Sequence, residues 1–197
     1  MQRERLLAAM LRATNELTYR EVSVQDVLDR AGVSRPTFYE HFENKEACFL
    51  AAFDSATARL RGRLEAAGAE GANWRERLRA SLAELLRFVS EDLDAAMSVI
   101  VDARAACPAA LRRRDDLLDN FASCLDTQVR AEAPPDSAPP GIAAAGIVGG
   151  IEALLYSRLY RGETEGLEAL LPSLMYFAVL PYEGHEAASD ELVALAG

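Results

Sequence analysis

The feature that most constrains the fold lies between residues 23 and 42, SVQDVLDRAGVSRPTFYEHF. Ser23 stands where it can cap a helix, and Asp26, three residues on, can return the bond. Val24, Val27, Leu28 and Ala31 recur at the spacing of one helical face. Gly32 closes that helix where a left-handed residue is wanted. Ser34 caps a second short helix, and Pro36 falls in its first turn, where a missing N–H is no loss. Two short helices joined by a tight turn at Gly32 and Val33 have helix-turn-helix spacing.

The remaining pattern is also helical, with no alternating apolar runs that would argue for a sheet. A first helix is predicted over residues 3–17, with Leu7, Met10, Leu11, Thr14 and Leu17 as its inner stripe. Asn44 caps a long helix over 44–65, with Glu46 in its first turn and a stripe of Leu50, Phe53, Thr57, Leu60 and Leu64. The Gly-rich stretch 66–72 is a predicted break. Asn73 and Glu76 cap a helix striped by Trp74, Leu78, Leu82, Leu85 and Val89. A shorter helix is expected over 93–105, and Pro108 opens another, striped by Leu111, Leu118, Phe121, Leu125 and Val129. APPDSAPP (133–140) is a predicted loop. Two apolar helices follow, over 141–161 and 164–180, the second ended by Pro181 and Gly184. The last dozen residues are expected to be a loose tail with one further helical turn. The predicted architecture is all-α: a helix-turn-helix head over 1–46 and a helical body over 47–197, linked by the helix over 44–65.

Charge narrows the functional classes. The chain carries −10, but residues 1–50 hold 7 basic and 8 acidic side chains, while the rest hold 14 and 23. Such an acid excess argues against a general nucleic-acid coat and leaves room for a small local reading head. Cys48, Cys107 and Cys124 are too far apart for a zinc site or a redox pair, which predicts reduced, mostly buried thiols. Two histidines, His41 and His185, and three scattered cysteines show neither a nucleophile–base pair nor a metal cluster, so no catalytic residue, metal or cofactor is expected. The longest uncharged run is the 15 residues 137–151, short of the roughly 18 that a membrane span needs. MQRERLLAAM lacks the apolar core of a secretion signal, so a cytoplasmic protein without a membrane partner is expected.

In the second short helix, Phe38 and Phe42 stand four apart and point inward together. Arg35, Thr37, Tyr39 and His41 alternate outward from that anchor. Arg35 suits a bidentate contact with a guanine edge, and Thr37 a thymine methyl or a phosphate. Tyr39 and His41 can donate to phosphate oxygens, although packing alone also accounts for Tyr39. Lys45, the only lysine in the chain, follows the capping Asn44. There its charge and the free N–H groups of a helix start favour a phosphate, against the alternative of a merely solvated lysine.

The run GVSRPTFYEHFENKEA (32–47) resembles the signature of the TetR family of bacterial transcription regulators. The resemblance implies a homodimer with a three-helix DNA-binding head, a fourth helix linking it to a ligand-binding body, and a dimer interface built by the last two long helices. Carried over position by position, Ser23 and Gln25 match the DNA-contacting start of the family's second helix. Ser34, Arg35, Thr37, Tyr39 and His41 match its recognition helix, and Lys45 its phosphate-gripping lysine. Pro36 departs from the Gly or Ala of many members, and a basic N-terminal arm is expected to be absent or very short. An effector would bind in the body, where Trp74, Phe88, Met97, Phe121 and Tyr156 are candidate liners, each also compatible with plain core. Their aromatic, weakly charged character suggests an apolar or aromatic small molecule. Gly146, Gly149 and Gly150 each cost a helix about 1 kcal/mol relative to Ala, which predicts the close approach of another helix or of a ligand. The expected function is a ligand-released repressor that binds a pseudo-palindromic operator as a dimer; activation or control by a protein partner is the alternative.

Overall fold

The computed structural model describes residues 1–133 and 141–194; the expected loop at 133–140 lies, beyond its first residue, outside the described residues. All described elements are helical. They are α1 (Gln2–Glu16), α2 (Val24–Ala31), α3 (Arg35–His41), α4 (Lys45–Gly68), α5 (Trp74–Glu91), α6 (Leu93–Ala96), α7 (Pro108–Glu132), α8 (Ile142–Tyr160) and α9 (Leu171–Ala194), with short turns of 3-10 and π type between some of them. Two compact units emerge, Met1–Arg59 with Asp92–Arg114, and Leu60–Glu91 with Asp115–Gly197. α4 and α7 each contribute to both units.

In the first unit, Leu6, Met10, Val27, Phe38, Phe49 and Phe53 are fully buried, so α1 to α4 share one apolar centre. Local capping sets the helix boundaries. Ser23 and Asp26 form a reciprocal capping box, and Gly32 ends α2 at φ 60 and ψ 45. Asn44 Oδ1 accepts from the Ala47 N–H at 2.8 Å to start α4. Burial pushes the Cys48 thiol up to about 12, which leaves it inert. Cys107 is half-buried and Cys124 exposed, so burial covers only one of the three thiols.

The single helix expected over 93–105 is broken up. After α6, residues Met97–Val101 form a π turn and Asp102–Arg104 a 3-10 turn. Val99, Ile100 and Val101 are successive β-branched residues, stiff at χ1 and crowded in an α-turn. Ser98, Val99, Ile100 and Ala103 are buried by this winding.

In the second unit, Asn73 and Glu76 make the predicted cap: Asn73 Oδ1 accepts from the Glu76 N–H at 3.0 Å, and Glu76 Oε2 accepts from the Ala72 N–H at 2.9 Å. The stripe predicted for α7 is rotated at its start, with Leu111 exposed and Ala110 and Leu117 buried instead. Gly150 explains itself, because a Cβ there would lie 3.0 Å from the Phe177 ring. Gly146 and Gly149 have open space at their Cβ positions, so packing within one chain does not account for them. α8 is long and apolar enough to match a membrane span by length and composition, yet Ile147, Ile151, Leu155, Leu159 and even Glu152 are buried within the protein.

As far as Ala194 the expected tail is not loose. α9 runs through Pro181, kinks at Gly184 (φ 83, ψ −176) and continues helically to Ala194. Beyond the kink, Ala188 is fully buried and Glu191 is only 1% exposed. Arg75 Nε donates to Glu191 Oε1 at 3.0 Å, and Arg79 Nη2 donates to Glu191 Oε2 at 2.5 Å. These partners lie more than a hundred residues away in sequence, which is why local patterning gave no hint of an anchored end.

Candidate nucleic-acid interface

The geometry of α3 follows from its two phenylalanines. Phe38 is fully buried and Phe42 nearly so, with ring centroids 5.8 Å apart. With that face held down, Arg35, Tyr39 and His41 are exposed and Thr37 is half-buried. The Ser34 hydroxyl accepts from the Thr37 N–H at 3.3 Å and lies 2.9 Å from the Thr37 hydroxyl, so the helix start is internally tied. Tyr39 is 50% exposed and sets the edge of its ring against Phe38, 5.3 Å between centroids. His41 ends the helix beside Phe42.

From α2, Ser23 and Gln25 are exposed next to this face. The Ser23 N–H and hydroxyl both donate to Asp26, which holds the Asp26 carboxyl below its ordinary value. Gln25 Oε1 accepts from Arg35 Nη2 at 3.0 Å, which joins the start of α2 to the start of α3. Exposed arginine, amide, phenol, imidazole and hydroxyl groups on one pair of helices form a donor-rich surface of the kind that engages phosphates and base edges.

Lys45 is placed differently from a free lysine. Its Nζ donates to the Tyr19 and Val22 carbonyls, both at 2.8 Å, and sits 4.4 Å from the Tyr19 ring centroid. Two of its three donors are therefore engaged in tying the α1–α2 connection to the start of α4, with one left over. Burial pushes the Tyr19 phenol up to about 12.

Two arginines in the first turn of α1 were not singled out by the sequence pattern. Arg5 Nη2 donates to the Gly32 carbonyl at 3.1 Å, and the Arg3 guanidinium lies 5.7 Å from the Phe42 ring centroid. Both reach the helix-turn-helix from a helix remote in sequence, a contact that helical spacing does not reveal.

The five candidate effector liners have differing surroundings. Phe88 is core, 2% exposed, with the Arg63 guanidinium over its ring. Met97 is half-buried in the π turn of the first unit. Phe121 is half-buried on α7, and Tyr156 stacks on Tyr160. Trp74 lines a cleft of about 380 Å³ with Asn73, Arg75, Glu76, Arg79, Glu132 and Glu183. Its indole N–H donates to Glu183 and its backbone N–H to Glu132, each at 3.0 Å. The latter bond holds the Glu132 carboxyl below its ordinary value. This cleft is polar, with Arg75 paired to Glu183.

An exposed α3 pinned by buried aromatics, behind a capped α2 and a left-handed turn, defines a helix-turn-helix head on an all-helical chain. Residues 6–52 match the family model for bacterial regulatory proteins, tetR family. The HTH-type transcriptional activator FasR of Mycolicibacterium smegmatis is 30% identical over 91 residues, which are 46% of this chain and 42% of FasR. The matched stretch thus spans less than half the length of that relative. The fatty acid degradation regulator FadR of Bacillus halodurans superposes with a TM-score of 0.81 at 16% identity, over 93% of this chain and 97% of that one. FadR of Bacillus subtilis, solved with stearoyl-CoA, does so at 0.77 and 19%, over 92% and 98%. Residues 6–52 thus form a helix-turn-helix head similar to that of tetR-family bacterial regulatory proteins, and the helical fold is that of the two FadR structures.

Proposed function

We propose that this chain is a cytoplasmic transcription regulator that binds a pseudo-palindromic DNA operator as a homodimer and is released by a small apolar or aromatic effector, acting as a repressor. The observation that carries the DNA-binding part is the division of α3: Phe38 and Phe42 buried, Arg35, Tyr39 and His41 exposed. Arg35 and Gln25 are the base readers. Ser23, Ser34, Thr37, Tyr39 and His41 serve phosphates and groove edges. Lys45 contributes its remaining donor and its charge to a phosphate while it holds the head together.

Dimerisation is supported by the apolar surface of the last two long helices. Ile142, Leu154, Tyr160, Phe177 and Leu180 are all exposed there, and Gly146 and Gly149 leave room for a close neighbour. A two-fold dimer would present two recognition helices to two half-sites. An apolar effector is supported by the fold neighbour that holds stearoyl-CoA. Its action requires a difference in affinity between DNA-competent and released states, typically about 1–3 kcal/mol. α4, which like α7 contributes to both compact units, is a covalent route for that coupling.

The experiment is a titration of duplexes from the promoter regions of its own and adjacent genes, followed by anisotropy at several salt concentrations. Saturable binding to one duplex at moderate salt, lost on adding an effector found by a melting-shift screen, is the expected result. No sequence preference at any salt concentration sinks the DNA-binding reading; preference without effector release sinks only the ligand part.

A further inference from the structure

Asp29 lies one turn after Gln25 on α2 and is exposed. Its Oδ1 accepts from Gln25 Nε2 at 2.8 Å, while Gln25 Oε1 accepts from Arg35 Nη2 at 3.0 Å. The three side chains form a relay from α2 to the first residue of α3. A carboxylate only accepts and a guanidinium only donates, whereas a glutamine amide does both at opposite ends. Both bonds are therefore satisfied in one of the two amide orientations and neither in the other. The Asp29 carboxylate and the Arg35 guanidinium select that orientation together, and Asp29 holds the amide from the side away from Arg35.

We propose that Asp29 is a positioning residue for base recognition: it fixes the Gln25 amide, and through it the direction in which Arg35 presents its remaining donors to a base edge. The inference rests on the reading of this head as a DNA-binding one.

Two considerations favour this role over an ordinary solvated charge. As a device for stability the relay has little value, because bonds among exposed polar side chains contribute little against water and side-chain entropy. As a charge it is unfavourable, since an acidic group beside the recognition helix repels a polyanion. Its geometric effect grows instead when DNA covers the surface and water leaves, because hydrogen bonds strengthen in the lower dielectric. A group without direct base contact then influences which base is accepted.

The test uses the full-length protein and a selected duplex with every single-base variant of one half-site. Arg35→Ala first identifies the base pair at which Arg35 discriminates. Asp29→Asn removes the charge and can present either end to Gln25, so it no longer sets the amide. Asp29→Glu keeps an acceptor within reach. The expected result is that Asp29→Asn binds unrelated duplexes as well as wild type or better. Its discrimination at the Arg35 base pair falls about 3- to 10-fold, the worth of one modest hydrogen bond, and Asp29→Glu restores most of it. Discrimination at other base pairs stays within twofold. If Asp29→Asn changes affinity for all duplexes by one common factor, Asp29 is only a surface charge and the proposal is overturned. A loss spread evenly over all base pairs, or one accompanied by a lower melting temperature, overturns it as well. Wild-type protein that selects no sequence removes the DNA-binding reading itself, an outcome distinct from any seen only in the Asp29 variants.

Discussion

Asp102 offers the sharpest quantitative test of the structure. It opens the 3-10 turn that follows the π turn, its Oδ2 is shielded from solvent, and that oxygen has no hydrogen-bond partner among the described residues. Burial pushes its carboxyl up from 3.8 to about 7, against the smaller opposing effect of the Thr14 hydroxyl. The unfolded chain therefore releases this proton near pH 4, while the native chain keeps it until about pH 7. Between those limits the unfolded state binds fewer protons, so stability falls by about 1.4 kcal/mol per pH unit as pH rises. The full penalty above pH 7 is at most about 4 kcal/mol, and below pH 4 it vanishes. Asp102→Asn has nearly the same shape and cannot ionise. Urea unfolding of both proteins from pH 4 to 8.5 gives the difference directly. The surface carboxylates Glu21, Asp26 and Glu132, whose pKa values are lowered, act in the opposite direction with pH. They are common to both proteins and cancel in the comparison. The variant should match or trail wild type near pH 4 and become progressively more stable than it up to pH 7. A difference that stays flat with pH, or one that favours wild type at pH 8, refutes the reading of Asp102 as a half-buried acid with a shielded, unpartnered carboxylate oxygen.

Glu191→Ala should destabilise the protein by about 2–3 kcal/mol, below the 3–5 kcal/mol of a wholly buried pair because Arg75 and Arg79 can rehydrate; equal unfolding midpoints for variant and wild type would show that the α9 end is not anchored there. Lys45→Ala should lower stability by about 1–3 kcal/mol through loss of two charged hydrogen bonds, seen as an earlier melting transition. It should also make the salt dependence of DNA binding shallower by about 1 in slope, and an unchanged slope would assign Lys45 to the head's structure alone. Leu154→Arg places a charge on the exposed face of α8 and should yield a folded monomer by analytical ultracentrifugation, whereas a dimer that persists would move the interface elsewhere.

What could be read from sequence and what could not divide along one physical line. The capping box of Ser23 and Asp26, the left-handed Gly32, the Ser34 and Asn44 caps and the inward pair Phe38 and Phe42 are interactions between residues at most four apart. Backbone geometry alone fixes where such side chains meet, so residue type and spacing suffice, and the helix-turn-helix was legible from them. The candidate DNA-facing residues of α3 were legible for the same reason, since a helix with a buried face must expose the other. The break-up of 93–105 was not, because helical spacing does not distinguish an α turn from a π turn.

The remaining features depend on which helix lies beside which. Lys45 was read as a lysine at a helix start, but its ammonium is bound to carbonyls 23 and 26 residues earlier. From sequence the chain end looks loose, because Glu191 and its arginines are 116 and 112 residues apart. Asp29 showed no signal, since its effect on Arg35 passes through an amide whose orientation is set only when α2 and α3 are packed together. By itself the sequence determined the helical class and, in the helix-turn-helix head, the helix ends and the hidden face of α3, because those are short-range matters of backbone geometry and apolar spacing. Only the tertiary structure decided what each charged side chain grips, because a long polar side chain can reach many partners and packing selects one.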